Sequence, residues 1–348
     1  MTREIDTGVG GRPDPRPPIV TIVIPLYNGG RFIDETLRSV LTQTYSQFEV
    51  VVVDDGSTDD GPGIVRTHLS DPRVQLVQNP LLGVAEARNM GAARASGHSM
   101  YLVFLDADDL WDPEALGALV DAVNRRPDAA GAFVLAEYID GDGNVLYPGD
   151  FPRHMRGRED LRGERLVPRD STADVQFEHL FLSNLVYPPS CLLVRRTAFE
   201  AAGGFDGRYL AEDWEFVVRL AKQGPFVPVD RVLVGYRRHA LNTSGNRARN
   251  VRGARQIWAA VYHGDFESDG TRKLIRGIWR AHQARTARRK LAEARALIVR
   301  GKLLCGMSRA ADGIAHALLR QPPRIWMAQG AKVREHEVRS TVLSRFAG

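Results

Sequence analysis

Several long apolar runs in this chain each stop abruptly at a polar turn, and that pattern limits the folds open to it. Ile19-Val20-Thr21-Ile22-Val23-Ile24-Pro25, Phe48 to Val53 and Met100 to Leu105 are rich in apolar and β-branched residues without period-two alternation. Such runs belong to strands buried on both faces, as in a parallel sheet covered on each side. Helical periods lie between them. Arg31 to Tyr45 places Phe32, Ile33, Leu37, Val40 and Leu41 on one face. Val74 to Gln78 predicts a further strand, and Val84 to Ala95 and Pro113 to Asn124 predict helices, the last with proline in its first turn. Strands alternating with helices define an α/β architecture.

Two of these strands run into carboxylates. Asp54-Asp55-Gly56-Ser57-Thr58-Asp59-Asp60 follows one, and Asp106-Ala107-Asp108-Asp109 follows another. In open α/β sheets ligands bind beyond the carboxyl ends of the strands, so Asp54, Asp55, Asp106 and Asp108 should meet in one crevice. A carboxylate cluster there suits a hard divalent cation. The alternative is helix capping: Asp108 or Asp109 ahead of the Pro113 helix, Ser57 or Thr58 ahead of the helix that runs to about Leu69. A calcium loop of the EF-hand type is excluded. Counted from Asp106, position six is Trp111 rather than glycine and position twelve is Gly117 rather than glutamate.

The second half reads less clearly. Ala132 to Tyr138 and Cys191 to Val194 predict strands around a turn at Gly141-Asp142-Gly143-Asn144, while Pro148 to Asp174 has no period. A short helix, Thr197 to Ala202, closes at Gly203-Gly204, and another runs from Asp213 to Gln223 before Gly224-Pro225. From about Asn250 the chain is nearly all helix-forming, broken at Pro322-Pro323. The predicted divisions are a disordered leader (residues 1–18), an α/β domain (19–249, halves 19–125 and 126–249) and a basic helical region (250–348).

The overall charge of +5 hides an asymmetry. Residues 271–348 carry 18 Lys/Arg against 4 Asp/Glu, a net of +14, which leaves the preceding 270 residues at −9. The basic region has three readings: a helical bundle packed on the acidic body, an interfacial helix on anionic lipid, or a nucleic-acid surface. The adopted reading is the bundle. Peripheral membrane contact comes second, with Ile275, Ile278 and Trp279 beside Arg272, Lys273, Arg276 and Arg280. Nucleic acid is set aside, since no base-reading motif is visible. No apolar run reaches the ~18–20 residues needed to cross a bilayer. The leader lacks the apolar stretch of a signal peptide. Cys191 and Cys305 match no metal spacing and suit a reducing compartment. These features predict a cytoplasmic protein, with a peripheral location at the inner face of the membrane as the second reading.

Six segments occur in order: Ile22 to Asn28, Val51 to Asp60, Gly83 to Gly97, Leu102 to Asp109, Gly203 to Leu220 and Tyr236 to Ser244. Together they resemble the family-2 glycosyltransferases, inverting enzymes of GT-A fold, over about residues 19–244. That resemblance implies a Rossmann-like, mostly parallel nucleotide-binding sheet flanked by helices, with the basic region as a C-terminal extension. It also implies roles. Pro25 and Tyr27 lie along the base and ribose of a nucleotide. Asp55 accepts from the ring N–H of a uracil-type base. Arg88 reaches the nucleotide or diphosphate, its alternative being an ion pair with Glu86 or Asp54. Asp106 turns to the ribose or metal-bound water, while Asp108 and His239 hold Mn²⁺ or Mg²⁺.

By the same resemblance Asp213 is the general base, which its place at a helix N-terminus should keep ionised. Glu212 and Trp214 adjoin the acceptor, with Trp214 equally suited to the core. Asp109 caps the next helix. The implied activity is transfer of a sugar from a nucleoside-diphosphate sugar, UDP-sugar in the first instance, to a hydroxyl of a glycan, lipid-linked or cell-envelope acceptor. Two rival readings are a sugar-nucleotide nucleotidyltransferase and a sugar-nucleotide-binding module without chemistry.

Overall fold

The structure is a computed structural model that describes residues 19–80, 83–149, 159–162, 165–168, 172–181, 183–240, 242, 245–264, 269–319 and 321–322. The predicted leader (residues 1–18) and the end of the basic region (residues 323–348) lie outside these.

The N-terminal half follows the predicted alternation. Strand β1 (Val20–Leu26) leads to helix α1 (Ile33–Leu41), β2 (Phe48–Asp54) to α2 (Gly61–Thr67), and β3 (Val74–Gln78) to α3 (Val84–Ala93). Strand β4 (Tyr101–Phe104), the two-residue β5 (Leu110–Trp111) and α4 (Ala115–Asn124) complete it. Then come β6 (Gly131–Ile139), a separate β7–β8 hairpin (Glu159–Arg162 and Arg165–Pro168), β9 (Leu192–Arg195), α5 (Arg196–Ala202), α6 (Glu212–Leu220) and β10 (Phe226–Arg237). The C-terminal region forms α7 (Arg247–Tyr262), α8 (Asp269–Val299) and α9 (Leu303–Leu318).

The main sheet has the order β3-β2-β1-β4-β9-β6-β10-β5. Strands β1 to β4 pair in parallel, as do β6 and β10. Strand β9 runs antiparallel to both β4 and β6, and β5 antiparallel to β10, so the sheet is mixed. This topology brings β4 and β10, separated by over a hundred residues, to the same edge of a crevice. Strand β10 carries Pro228, a polar middle and register shifts between Pro228 and Val234, which hide it from periodicity.

Side chains of β1 and β2 alternate between two cores. Ile22, Ile24, Val50 and Val52 pack under α1, α2 and α4. Val23, Val51 and Val53 face α3, α6 and the C-terminal helices. Helix α3 lies close on β1, because a Cβ at Gly91 would stand 2.2 Å from Val23.

The start of the C-terminal helical region packs against the α/β body. Ile275 and Trp279 are fully buried and Ile278 nearly so, with Trp279 packed on Phe181, Trp258 and Tyr262. The face read as lipid-seeking therefore belongs to the protein core, and the start of α8 packs on the catalytic body as a bundle does.

Candidate active site

The acidic loop after β4 is held from three sides. Asp106 N–H donates to Ser190 Oγ at 3.1 Å. Thr36 Oγ1 on α1 lies 3.0 Å from the carbonyls of both Ala107 and Asp109. Arg237 Nε donates to the Asp108 carbonyl at 2.7 Å. Asp109 itself is fully buried and accepts from Ser190 Oγ and from the Arg237 N–H. It does not cap α4, which starts at Ala115 with Glu114 as N-cap. Burial, with the charges of Asp108 and Asp106 beside it, pushes the Asp109 carboxyl well above the usual range.

Arg237 is the floor of this arrangement. It is wholly buried, its guanidinium reaching Glu35 at 2.7 Å and the carbonyls of Asp140 and Gly141, and it lies over the Phe32 ring. A buried charge is tolerable only when its donors are used in this way.

The two residues assigned to metal meet. His239 Nε2 lies 2.8 Å from Asp108 Oδ2, and Asn242 Nδ2 approaches the same oxygen at 3.4 Å. Burial and the neighbouring Asp106 raise the Asp108 carboxyl, with the His239 hydrogen bond pulling the other way. Among the described residues no group of three or more His, Cys, Asp or Glu side chains could hold a metal ion. One carboxylate and one imidazole nonetheless form a mixed oxygen and nitrogen donor pair. Excess negative charge surrounds that pair. It fits a divalent cation that takes its other ligands from outside the chain.

Arg88 departs from its expected partners. Nη2 donates to Asp106 Oδ1 at 2.7 Å and Nη1 to Glu212 Oε1 at 3.3 Å, with the guanidinium over the Phe205 ring; neither Glu86 nor Asp54 is engaged. The side chain is buried, and burial alone would lower its affinity for a proton. The charges of Asp106 and Glu212 overcome this and raise it. Next to it, Asn89 exchanges two hydrogen bonds with the Phe205 backbone, fixing the turn that precedes α6. Arg88 thereby joins the acidic loop after β4 to the start of α6.

Asp213 sits in the first turn of α6, half-buried. The helix terminus does not dominate its charge state. Burial and the adjacent Glu212 push its carboxyl up to about 6, against the pull of Arg88. Trp214, offered to the acceptor, is instead a core residue: it is 8 % exposed and its indole N–H donates to the Leu180 carbonyl at 2.7 Å. Glu212 faces Arg88.

On the nucleotide side, Asp55 is buried, accepting from Asn79 Nδ2 at 2.6 Å and from the Gly83 N–H at 3.0 Å. Tyr27 is 55 % exposed at the end of β1, and Pro25 lies within that strand opposite Val53. The loops after β1 and β2 are stapled together. Asn28 N–H donates to Ser57 Oγ, and the Thr58 N–H and hydroxyl donate to Asn28 Oδ1. Ser57 and Thr58 serve this staple rather than capping α2.

The sequence profile of Glycosyl transferase family 2 matches residues 21–202, just over half of the chain. The chain belongs to glycosyltransferase family 2. That family is one of glycosyl transfer, which favours this reaction class over nucleotidyl transfer.

Among relatives, the chain is 27% identical over 232 residues to a chondroitin synthase of Escherichia coli, a match that covers 66% of this chain and 30% of that protein. It is 31% identical over 192 residues to the glycosyltransferase GlyG of Streptococcus pneumoniae, covering 55% and 61%. The matched stretch thus spans under two thirds of either protein. Among solved structures, a mannosyltransferase of Pyrobaculum calidifontis in complex with GDP-Man and Mn²⁺ shares 22% identity, with a TM-score of 0.57 over 94% of this chain and 88% of that one. TarS of S. aureus in complex with UDP-GlcNAc shares 17%, with a TM-score of 0.56 over 92% of each chain. Those likenesses are of fold, and the fold is GT-A.

Thr36 and Asn242 carry no sequence signal for the site, and Ser190, in a Pro188–Cys191 stretch readable as structure with acceptor contact, serves the acidic loop instead. Arg237, buried at the end of β10, left one trace: it follows directly on the apolar run Val232-Leu233-Val234-Gly235-Tyr236. Ser190→Ala removes the donor to Asp109 and the acceptor for the Asp106 N–H. It should cost about 1–3 kcal/mol, read by denaturant unfolding, together with a loss of transferase turnover. Unchanged stability would contradict its place in the clamp.

Proposed function

We propose that the enzyme is an inverting, metal-dependent transferase that moves a sugar from a nucleoside-diphosphate sugar to an acceptor hydroxyl. The carrying observation is the pairing of Asp108 with His239 beside an acidic loop that Arg88 ties to the start of α6. Asp213, the proposed base, accepts the hydroxyl proton as the acceptor oxygen bonds to the anomeric carbon. The bond from that carbon to the diphosphate oxygen breaks on the opposite face, and the nucleoside diphosphate leaves. Asp108 and His239 would hold a divalent cation, Mn²⁺ or Mg²⁺, which would supply positive charge for the departing diphosphate. Arg88 positions Asp106 and Glu212, and its charge holds the Asp213 carboxyl below where burial would otherwise take it.

A UDP-sugar is the first donor to test. Asp55, held by the Asn79 side chain and the Gly83 N–H, is a buried carboxylate acceptor of the kind that suits a uracil ring N–H. Exposed Tyr27 follows Leu26, whose carbonyl accepts from the Asp55 N–H. The acceptor is a glycan, lipid-linked or cell-envelope saccharide, met by residues of the 126–249 half.

Asp213 works only when ionised, so kcat/KM should rise with pH through an apparent pKa near 6 and level off above it. The same raised pKa makes the fold lose this residue's contribution as pH climbs from the usual carboxylate range through about 6. Asp213→Asn should lower kcat about 10²–10⁴-fold with donor affinity retained. Arg88→Gln should move the acid limb upward. An Asp213→Asn enzyme with normal turnover would rule out this base.

Chelation by EDTA should abolish turnover, with Mn²⁺ or Mg²⁺ restoring it. Asn242→Ala, which frees Asp108 from one of its neighbours, should weaken metal activation about 10–100-fold. Turnover indifferent to EDTA would remove the metal from the mechanism.

A further inference from the structure

The α8–α9 hairpin bears an apolar surface that the catalytic site does not use. Its inner face is built from small residues. A Cβ at Gly306 would stand 2.4 Å from Ile298, and one at Gly313 would stand 3.0 Å from Leu291. With those glycines turned to α8, Leu304, Met307, Ala311, Ile314 and Leu318 fall on the opposite side of α9, spaced three and four apart along one stripe. Leu304 is 82 % exposed, Leu318 73 %, Met307 58 % and Ile314 54 %. Val299 and Leu303 continue the patch around the tip. An exposed apolar surface of this extent marks a place of interaction.

The charge around it selects the partner. Residues 269–319 hold 12 Lys/Arg against 3 Asp/Glu, a net of +9. The acids nearest the stripe are already paired, Asp312 with Lys290 and Glu293 with Arg309. Among the described residues, exposed Arg295, Arg300 and Lys302 have no carboxylate within ion-pair distance. Two such hairpins brought together would repel, whereas an anionic bilayer takes up both the stripe and the charges. No helix among the described residues is long and apolar enough to cross a membrane.

We propose that the hairpin lies on the surface of an anionic bilayer, the α9 stripe sunk at the headgroup boundary and Arg295, Arg300 and Lys302 at the level of the lipid phosphates. The first half of α8 is locked into the catalytic core through Ile275 and Trp279, so docking holds the transferase at the lipid surface. This inference is independent of the assigned base and metal ligands.

The test is flotation of the full chain with vesicles of phosphatidylcholine alone or mixed with phosphatidylglycerol. Binding should require phosphatidylglycerol and weaken with salt. Arg300→Ala and Lys302→Ala should each weaken it about fivefold. Leu304→Glu with Ile314→Glu should release the chain, while donor turnover and the melting temperature stay at wild-type values. Three results would overturn the proposal. One is a full chain that ignores mixed vesicles or binds them only after removal of residues 323–348. Another is undiminished binding by the Leu304/Ile314 variant. The third is a dimer in light scattering that the same variant dissolves, which would give the stripe to a second copy.

Discussion

The buried guanidinium of Arg237 fixes the acidic loop, and the geometry of the site depends on it. A full positive charge in the interior is costly unless its donors are satisfied. Here the Asp108, Asp140 and Gly141 carbonyls and the Glu35 carboxylate meet that need. The backbone N–H of the same residue binds Asp109, itself tied to Ser190. Strand β10, the short 3₁₀ turn Pro189–Cys191 before β9 and helix α1 thus all converge beneath residues 106–109. The loop is therefore presented by the sheet rather than left to its own turn chemistry.

Arg88 makes the complementary connection from above. Through Asp106 and Glu212 it joins the loop to the first turn of α6, carrying the electrostatic state of one half of the site into the other. Negative charge exceeds positive charge around it, and the carboxyls respond: Asp108 and Asp109 are raised, and Asp213 stands near 6. A base in that range is ionised for most of its time at neutral pH yet still basic enough to take a hydroxyl proton.

The amino-acid sequence shows the α/β alternation of the N-terminal half because each strand there is buried on both faces and each helix has one clear apolar side. Asp108 and His239, 131 positions apart, could be paired only through their resemblance to family motifs, yet they lie in hydrogen-bond contact. What escaped was decided by long-range topology. β9 enters antiparallel between β4 and β6, a choice that no local pattern encodes. Arg237 and Trp214 look like surface or ligand residues until the layers that cover them are known. Asp109 reads as a helix cap by its position before Pro113, and becomes a buried anchor only once β10 comes alongside. The tail's Ile275, Ile278 and Trp279 suited lipid equally well before the core that receives them was in view.

The central claim is a single-displacement transfer in which Asp213 deprotonates the acceptor and the nucleotide leaves from the opposite face. The anomeric configuration of the product, read from its anomeric proton coupling by NMR during turnover of an α-linked UDP-sugar, tests it most directly. A β-linked product is expected. An α-linked product would mean retention, and neither the assigned role of Asp213 nor the one-step path could then stand.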